Sequence, residues 1–141
     1  MKFSEITEEQ WDELGPFLDT CLLPVTGLDG TEKPWEAADS LEQLQFVLDE
    51  LEIPYKGRIV TYPAYHYTGF NEDTASSLEH ISRHLKNSAG FRFVLLVSAK
   101  PELKTLRVPS ADLLITAADI EKEGSGRIRS SVESLWRQND A

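Results

Sequence analysis

A chain of 141 residues is the size of one domain that buries its core without disulfides or metal, and its 40% apolar and 27% charged residues are the balance of a soluble globular protein. The formal net charge of −10, with no basic block to offset it, excludes nucleic acid and anionic membrane surfaces as natural partners, because phosphate affinity comes from lysine and arginine. No apolar run approaches the roughly 18 residues of a membrane helix, Met1 to Glu9 lacks the apolar stretch of a signal peptide, and the lone Cys21 excludes a disulfide or cysteine-based zinc site. The expectation is a cytoplasmic protein.

Ile6 to Trp11 reads as a helix start: Thr7 can accept from the backbone three residues on, Gln10 can reach back, and Ile6 can staple onto Trp11. Gly15-Pro16 ends that helix. Asp19 to Leu23 is an apolar run that closes at Pro24, since proline would break a central ladder. After the loop Thr26 to Thr31, Ala38, Leu41, Leu44, Val47, Leu48 and Leu51 recur at three- and four-residue spacing, with Pro34 suited to the first turn and Ile53-Pro54 to the end.

Arg58 to Tyr62 forms a second strand and leads into a loop with Tyr62, Pro63, Tyr65, His66 and Tyr67. Asn71, Asp73 and Thr74 suit a helix cap, and Leu78, Ile81 and Leu85 mark one apolar face that ends near Asn87 to Gly90. Phe91 to Val97 is apolar almost throughout, as a strand buried on both faces of a parallel sheet must be. Between Lys100 and Ser110 the pattern is weak, and Leu103, Leu106 and Val108 fit a loop or an edge strand. Asp112 to Thr116 is a fourth strand, Ala117 to Glu123 a helical turn and Gly124-Ser125-Gly126 a hinge. Ile128, Val132, Leu135 and Trp136 then share one side of a last helix.

This alternation predicts one α/β domain over residues 1–141, with an N-terminal helical segment over 1–16 and a C-terminal helix over 124–141. The architecture expected is a three-layer sandwich around a mostly parallel sheet of four to five strands, in the flavodoxin-like order 2-1-3-4. Such sheets bind ligands beyond the carboxyl ends of their strands, where the order reverses.

Leu18-Asp19-Thr20-Cys21-Leu22-Leu23-Pro24, the leucine-spaced helix after it, and Arg58-Ile59-Val60-Thr61-Tyr62-Pro63 resemble the YpiF-like proteins of Bacillus-type bacteria, a domain family of unknown function. The resemblance covers the first half to two-thirds of the chain. It implies no activity, cofactor or catalytic residue.

Gly27 to Lys33 stands where a phosphate loop would, but that motif needs a lysine and a hydroxyl after its last glycine. Thr31 and Glu32 follow Gly30 instead, and Asp29 and Glu32 would repel the anion, so an ordinary glycine turn is expected. Cys21, mid-strand and without a cationic neighbour, reads as a small buried hydrophobe with an unshifted or raised pKa, and the arginine of a phosphatase loop is replaced by Gly27. His80 and His84 share a helix face, yet Ile81 occupies the place of a zincin glutamate. Even with His66, Asp73 and Glu79 near, they read as surface histidines, and no metal ligand is assigned. Ser98-Ala99-Lys100-Pro101 has the form of a receiver-domain exit without the acidic cluster that would hold magnesium. Asp119 reads as a helix-start residue rather than a base.

Tyr62, Tyr65, His66 and Tyr67 have two readings: an aromatic wall for a planar ligand or a partner's side chains, or a cap that closes the core with its polar tips in water. Two functions follow. One is a non-catalytic interaction or accessory protein, docking a protein partner through the aromatic loop or an exposed sheet edge. The other is a small-molecule-binding protein or enzyme at the strand ends, with Thr26, Asp29, Ser98 and Lys100 flanking the switch point. Tyr62, Tyr65 and His66 would then wall one side, and His66 would be the acid or base near neutral pH. No cofactor, catalytic residue or oligomeric state is assigned.

Overall fold

In the computed structural model, which describes residues 1–139, four strands, β1 (Thr20–Pro24), β2 (Ile59–Thr61), β3 (Phe93–Ser98) and β4 (Leu113–Thr116), form one sheet. Every pairing is parallel and the order is β2-β1-β3-β4, as the sequence pattern predicts. Five α-helices accompany them: α1 (Glu8–Leu14), α2 (Pro34–Glu52), α3 (Glu72–Asn87), α4 (Ala117–Glu123) and α5 (Ser125–Asn139). Positions 140 and 141 of the expected C-terminal helix lie outside the described residues. Among the described residues, no helix is long and apolar enough to cross a membrane.

Every residue of β1 and β3 is buried, which is why those segments are continuously apolar rather than alternating. Leu22, Ile59, Phe93, Leu95, Val97 and Ile115 face α2, α4 and α5. Cys21, Leu23, Val60, Val94 and Leu96 face α1 and α3. The helix ends follow their local chemistry. Thr7 Oγ1 accepts from Gln10 N at 3.2 Å while Gln10 Oε1 accepts from Thr7 N at 3.0 Å, Pro34 opens α2, and Asn71 caps α3 by accepting from Thr74 N at 3.0 Å.

Pro24 closes β1, as expected, and is its last residue in register, opposite Val97. Thr20 N donates to Arg58 O on the β2 side and Val25 N to Val97 O on the β3 side. Alternation therefore puts the ring nitrogen of Pro24 toward β2, which has already ended at Thr61, so no ladder bond is lost. The segment after β3 is a 3₁₀ turn over Pro101–Thr105 rather than an edge strand, with Leu103 and then Val108 buried against the α3 side. Pro101 favours the first position of a helical turn, and the three-residue step from Leu103 to Leu106 matches a 3₁₀ period. In α2, Ala38 and Leu41 are exposed and burial begins only at Leu44. Ala37 and Ser40, on the side of Leu44, are half-buried.

Asp112, just before β4, makes a double tie: its N–H donates to Val94 O at 2.8 Å, and its carboxylate accepts from Val94 N at 2.9 Å and from Lys86 Nζ at 3.0 Å. Val94 is fully buried. Asp112→Ala is therefore expected to cost roughly 1–3 kcal/mol in urea unfolding, because the Val94 N–H loses its acceptor, and Asp112→Asn should recover most of that loss.

Glu79 holds the loop before β4 through Ser110, whose N–H and hydroxyl donate to it at 2.7 and 2.6 Å. Those bonds, the hydroxyl first, and Arg83 keep its carboxyl below the ordinary 4.5. Burial pushes Asp119 up, but Lys104 at 2.8 Å and the Thr116 N–H outweigh it and hold it below 3.8. A depressed folded pKa stabilises the fold at higher pH and loses that contribution as pH falls through the folded value. Thermal melts should accordingly show an acid decline that begins near the ordinary carboxylate range, and Glu79→Gln should flatten it.

The β2 edge is covered by the first two residues: Thr61 N donates to Met1 O at 2.7 Å and Lys2 bridges to Thr61. Lys2 Nζ lies 3.2 Å from Glu52 Oε1, and Glu52 Oε2 accepts from Thr61 Oγ1 at 3.1 Å. At the opposite, amino-terminal end of the sheet a closed ring of contacts ties α5 to β1. Trp136 Nε1 donates to Thr20 Oγ1 at 2.9 Å, and Thr20 Oγ1 donates to Asp19 Oδ1 at 3.0 Å. Arg58 grips Asp19 with Nε and Nη2 at 3.0 and 3.1 Å and lies 4.2 Å from the centroid of the Trp136 ring.

Candidate functional site

The carboxyl ends of β1 and β3 flank the point where the strand order reverses. Beyond Pro24, the tyrosine loop zips onto the departing chain: Tyr65 N donates to Pro24 O at 2.8 Å and Thr26 N to Tyr65 O at 2.9 Å. Thr26 is buried, its hydroxyl accepting from Leu28 N at 3.3 Å and donating to Tyr65 O at 3.5 Å. Ser98 is also fully buried and accepts from Lys100 N at 3.2 Å. Both hydroxyls are engaged in shaping their own loops.

Gly27 lies between them with φ +72°, where a side chain is strained and where a Cβ would stand 2.8 Å from Lys100 Cδ and 2.9 Å from the Phe70 ring. The stem of Lys100 and the ring of Phe70 thus pack against Gly27, and Lys100 Nζ donates to Gly27 O at 3.2 Å. Asp29 is exposed. Its carboxyl is held below the usual range by the hydrogen bond from the Thr31 hydroxyl, at 2.6 Å, with the nearby Lys100 charge adding to the effect.

The same loop consumes its own donors. Asp29 N and Gly30 N donate to Glu32, Thr31 N to Asp29, and Lys33 N to Glu36. Carboxylates of the chain thereby occupy the positions that a bound anion would take at a phosphate loop.

The aromatic loop divides. Tyr62 turns inward and stands edge-on to Phe91 at 5.2 Å, and burial raises its phenol pKa. Tyr65 is half-buried against the same cluster. His66 and Tyr67 face solvent with ring centroids 4.6 Å apart, and Tyr67 carries φ +65°, the one positive φ outside glycine among the described residues. Cys21 is fully buried and desolvation pushes its thiol far up, away from nucleophile behaviour. His80 and His84 are exposed, and among the described residues no group of three His, Cys, Asp or Glu could hold a metal ion.

A different surface was not singled out by motif. Trp35, Phe46 and Ile53 are 67%, 56% and 61% exposed. Spaced by eleven and seven residues, they fall within about 20° of one line along α2 and its C-cap, directly opposite the buried Leu44 and Leu51. The helical period of these three apolar residues is the signal by which the sequence could have revealed them. Beside Trp35 lies a cleft of about 580 Å³ lined by Glu32, Glu36, Asp39 and Lys100. On the other flank of α2, Phe3, Leu41, Leu48, Tyr62 and Ala64 line a groove of about 340 Å³.

No curated protein and no solved structure matches this chain. Residues 9–132, from α1 into α5, match the family described as "Protein of unknown function (DUF2487)". Nearly the whole of the fold lies within that match, and the chain belongs to the DUF2487 family.

Proposed function

We propose that the chain is a non-catalytic interaction domain, a YpiF-like accessory protein of Bacillus-type bacteria that works in the cytoplasm and docks a protein partner through the outer face of α2. The observation that carries this reading is the outward line of Trp35, Phe46 and Ile53 on a helix whose opposite side is core. The strand ends support it from the other direction: in this flavodoxin-like arrangement the hydroxyls of Thr26 and Ser98, where ligands customarily bind, are already engaged with backbone. The tyrosine loop then serves chiefly as a closure, with His66 and Tyr67 at its rim.

Native mass spectrometry of protein purified under mild conditions is expected to give the mass of the polypeptide alone, and a retained small molecule would overturn the reading. Phe46→Ser, at an exposed helical position, should change stability by no more than about 0.5 kcal/mol. It should nonetheless abolish recovery of the partner, which Tyr67→Ser should leave intact.

A further inference from the structure

The face of α2 carries information about the chemistry of what covers it. Its segment Pro34–Glu52 holds Glu36, Asp39, Glu42, Asp49, Glu50 and Glu52 and no lysine or arginine, in a chain of net charge −10. At 100° per residue, Glu42 and Asp49 fall on one side of the Trp35–Phe46–Ile53 line and Asp39 and Glu50 on the other, so apolar side chains about 27 Å from end to end run between two rows of carboxylates. Neutralising partners are few: Glu50 meets Arg129 at 2.9 Å, Glu52 meets Lys2 on the inner flank, and Lys33 Nζ stands 5.5 Å over the Trp35 ring. Among the described residues, Asp39 and Asp49 accept from the neutral side-chain amides of Gln43 and Gln45.

From this pattern we infer that the α2 face takes a basic amphipathic helix of another protein, with apolar side chains laid along Trp35, Phe46 and Ile53 and lysines or arginines set against the two carboxylate rows. Three occupants compete for an apolar helix face, and charge separates them. A second copy in face-to-face contact would oppose acidic rows with acidic rows, and an anionic bilayer would do the same with its headgroups. A basic amphipathic helix satisfies both the apolar line and its flanks. Its cationic groups also gain the exposed indole of Trp35, which already attracts Lys33.

This inference rests on the docking reading above, and its test separates the two. The full chain with benzoylphenylalanine in place of Phe46 is irradiated in cells of its source, and the cross-linked segment is sequenced. An adduct to a segment rich in lysine or arginine, with apolar residues at helical spacing, supports the inference. So does a yield that falls at least tenfold in the Asp39→Lys, Glu42→Lys double variant or when a lysate is irradiated at 0.5 M salt instead of low salt, the effect being about what screening of exposed charge pairs predicts. An adduct to an acidic or neutral segment, or a yield indifferent to charge reversal, overturns the basic partner while leaving the docking reading standing. Cross-linking only to another copy of the chain, or co-sedimentation with phosphatidylglycerol vesicles, overturns it too. No adduct at position 46 overturns both readings.

Discussion

Trp136→Ala is expected to lower the unfolding free energy by about 3–5 kcal/mol, the usual cost of deleting a large buried aromatic. The indole is 6% exposed, meets Tyr55 edge-on at 4.9 Å and receives the Arg58 guanidinium on its face. It also supplies the donor to Thr20, a fully buried residue at the start of β1. For a domain of this size, total stability is about 5–15 kcal/mol, so the variant should melt far lower or fail to fold. Trp136→Phe separates the contributions, since it keeps an aromatic ring and removes the donor, and about 1 kcal/mol is expected in urea titration. Because Asp19, Thr20, Arg58 and Trp136 close on themselves, Trp136→Phe and Asp19→Ala should be coupled by more than the roughly 0.3–0.5 kcal/mol within which independent sites add.

Gly27→Val is expected to cost about 2–5 kcal/mol, joining the left-handed backbone penalty of roughly 1–2 kcal/mol to an overpacking penalty of roughly 1–3 kcal/mol. The two parts can be measured apart. In a Lys100→Ala, Phe70→Leu background the atoms that a Cβ would meet are gone, so the remaining loss should shrink to the backbone part alone. Equal losses in both backgrounds would mean that those side chains do not crowd Gly27.

Much of the fold was legible because it rests on features that local sequence carries. The unbroken apolar runs of β1 and β3 reported burial on two faces, and the leucine spacing of α2 and the Thr7–Gln10 reciprocity reported their helices. Pro24 ends β1 as its missing donor predicts, while the neighbour its nitrogen faces follows from register, which is a tertiary property. Ala38 lies about 120° around α2 from Leu44, so three-residue spacing alone carried it off the core face.

The candidate site was less legible for a related reason. Thr26 and Ser98 were correctly located at strand ends, yet sequence does not say whether a hydroxyl points to solvent or back to its own loop. Asp29 and Glu32 were read as repelling an anion, and they go further by occupying its donors. The α2 line was visible in principle, but a search for catalytic types passes over tryptophan, phenylalanine and isoleucine.

The ring joining Asp19, Thr20, Arg58 and Trp136 also sets an order in time. Thr20 and its tryptophan partner are 116 residues apart, and at a synthesis rate of about 5–20 residues per second the later one is made on the order of ten seconds after the earlier. The first strand translated is thus the last to be finished, since it needs β3 for its second neighbour and α5 for its end. Its exposure in a growing chain is governed by the pace of translation rather than by the speed of folding.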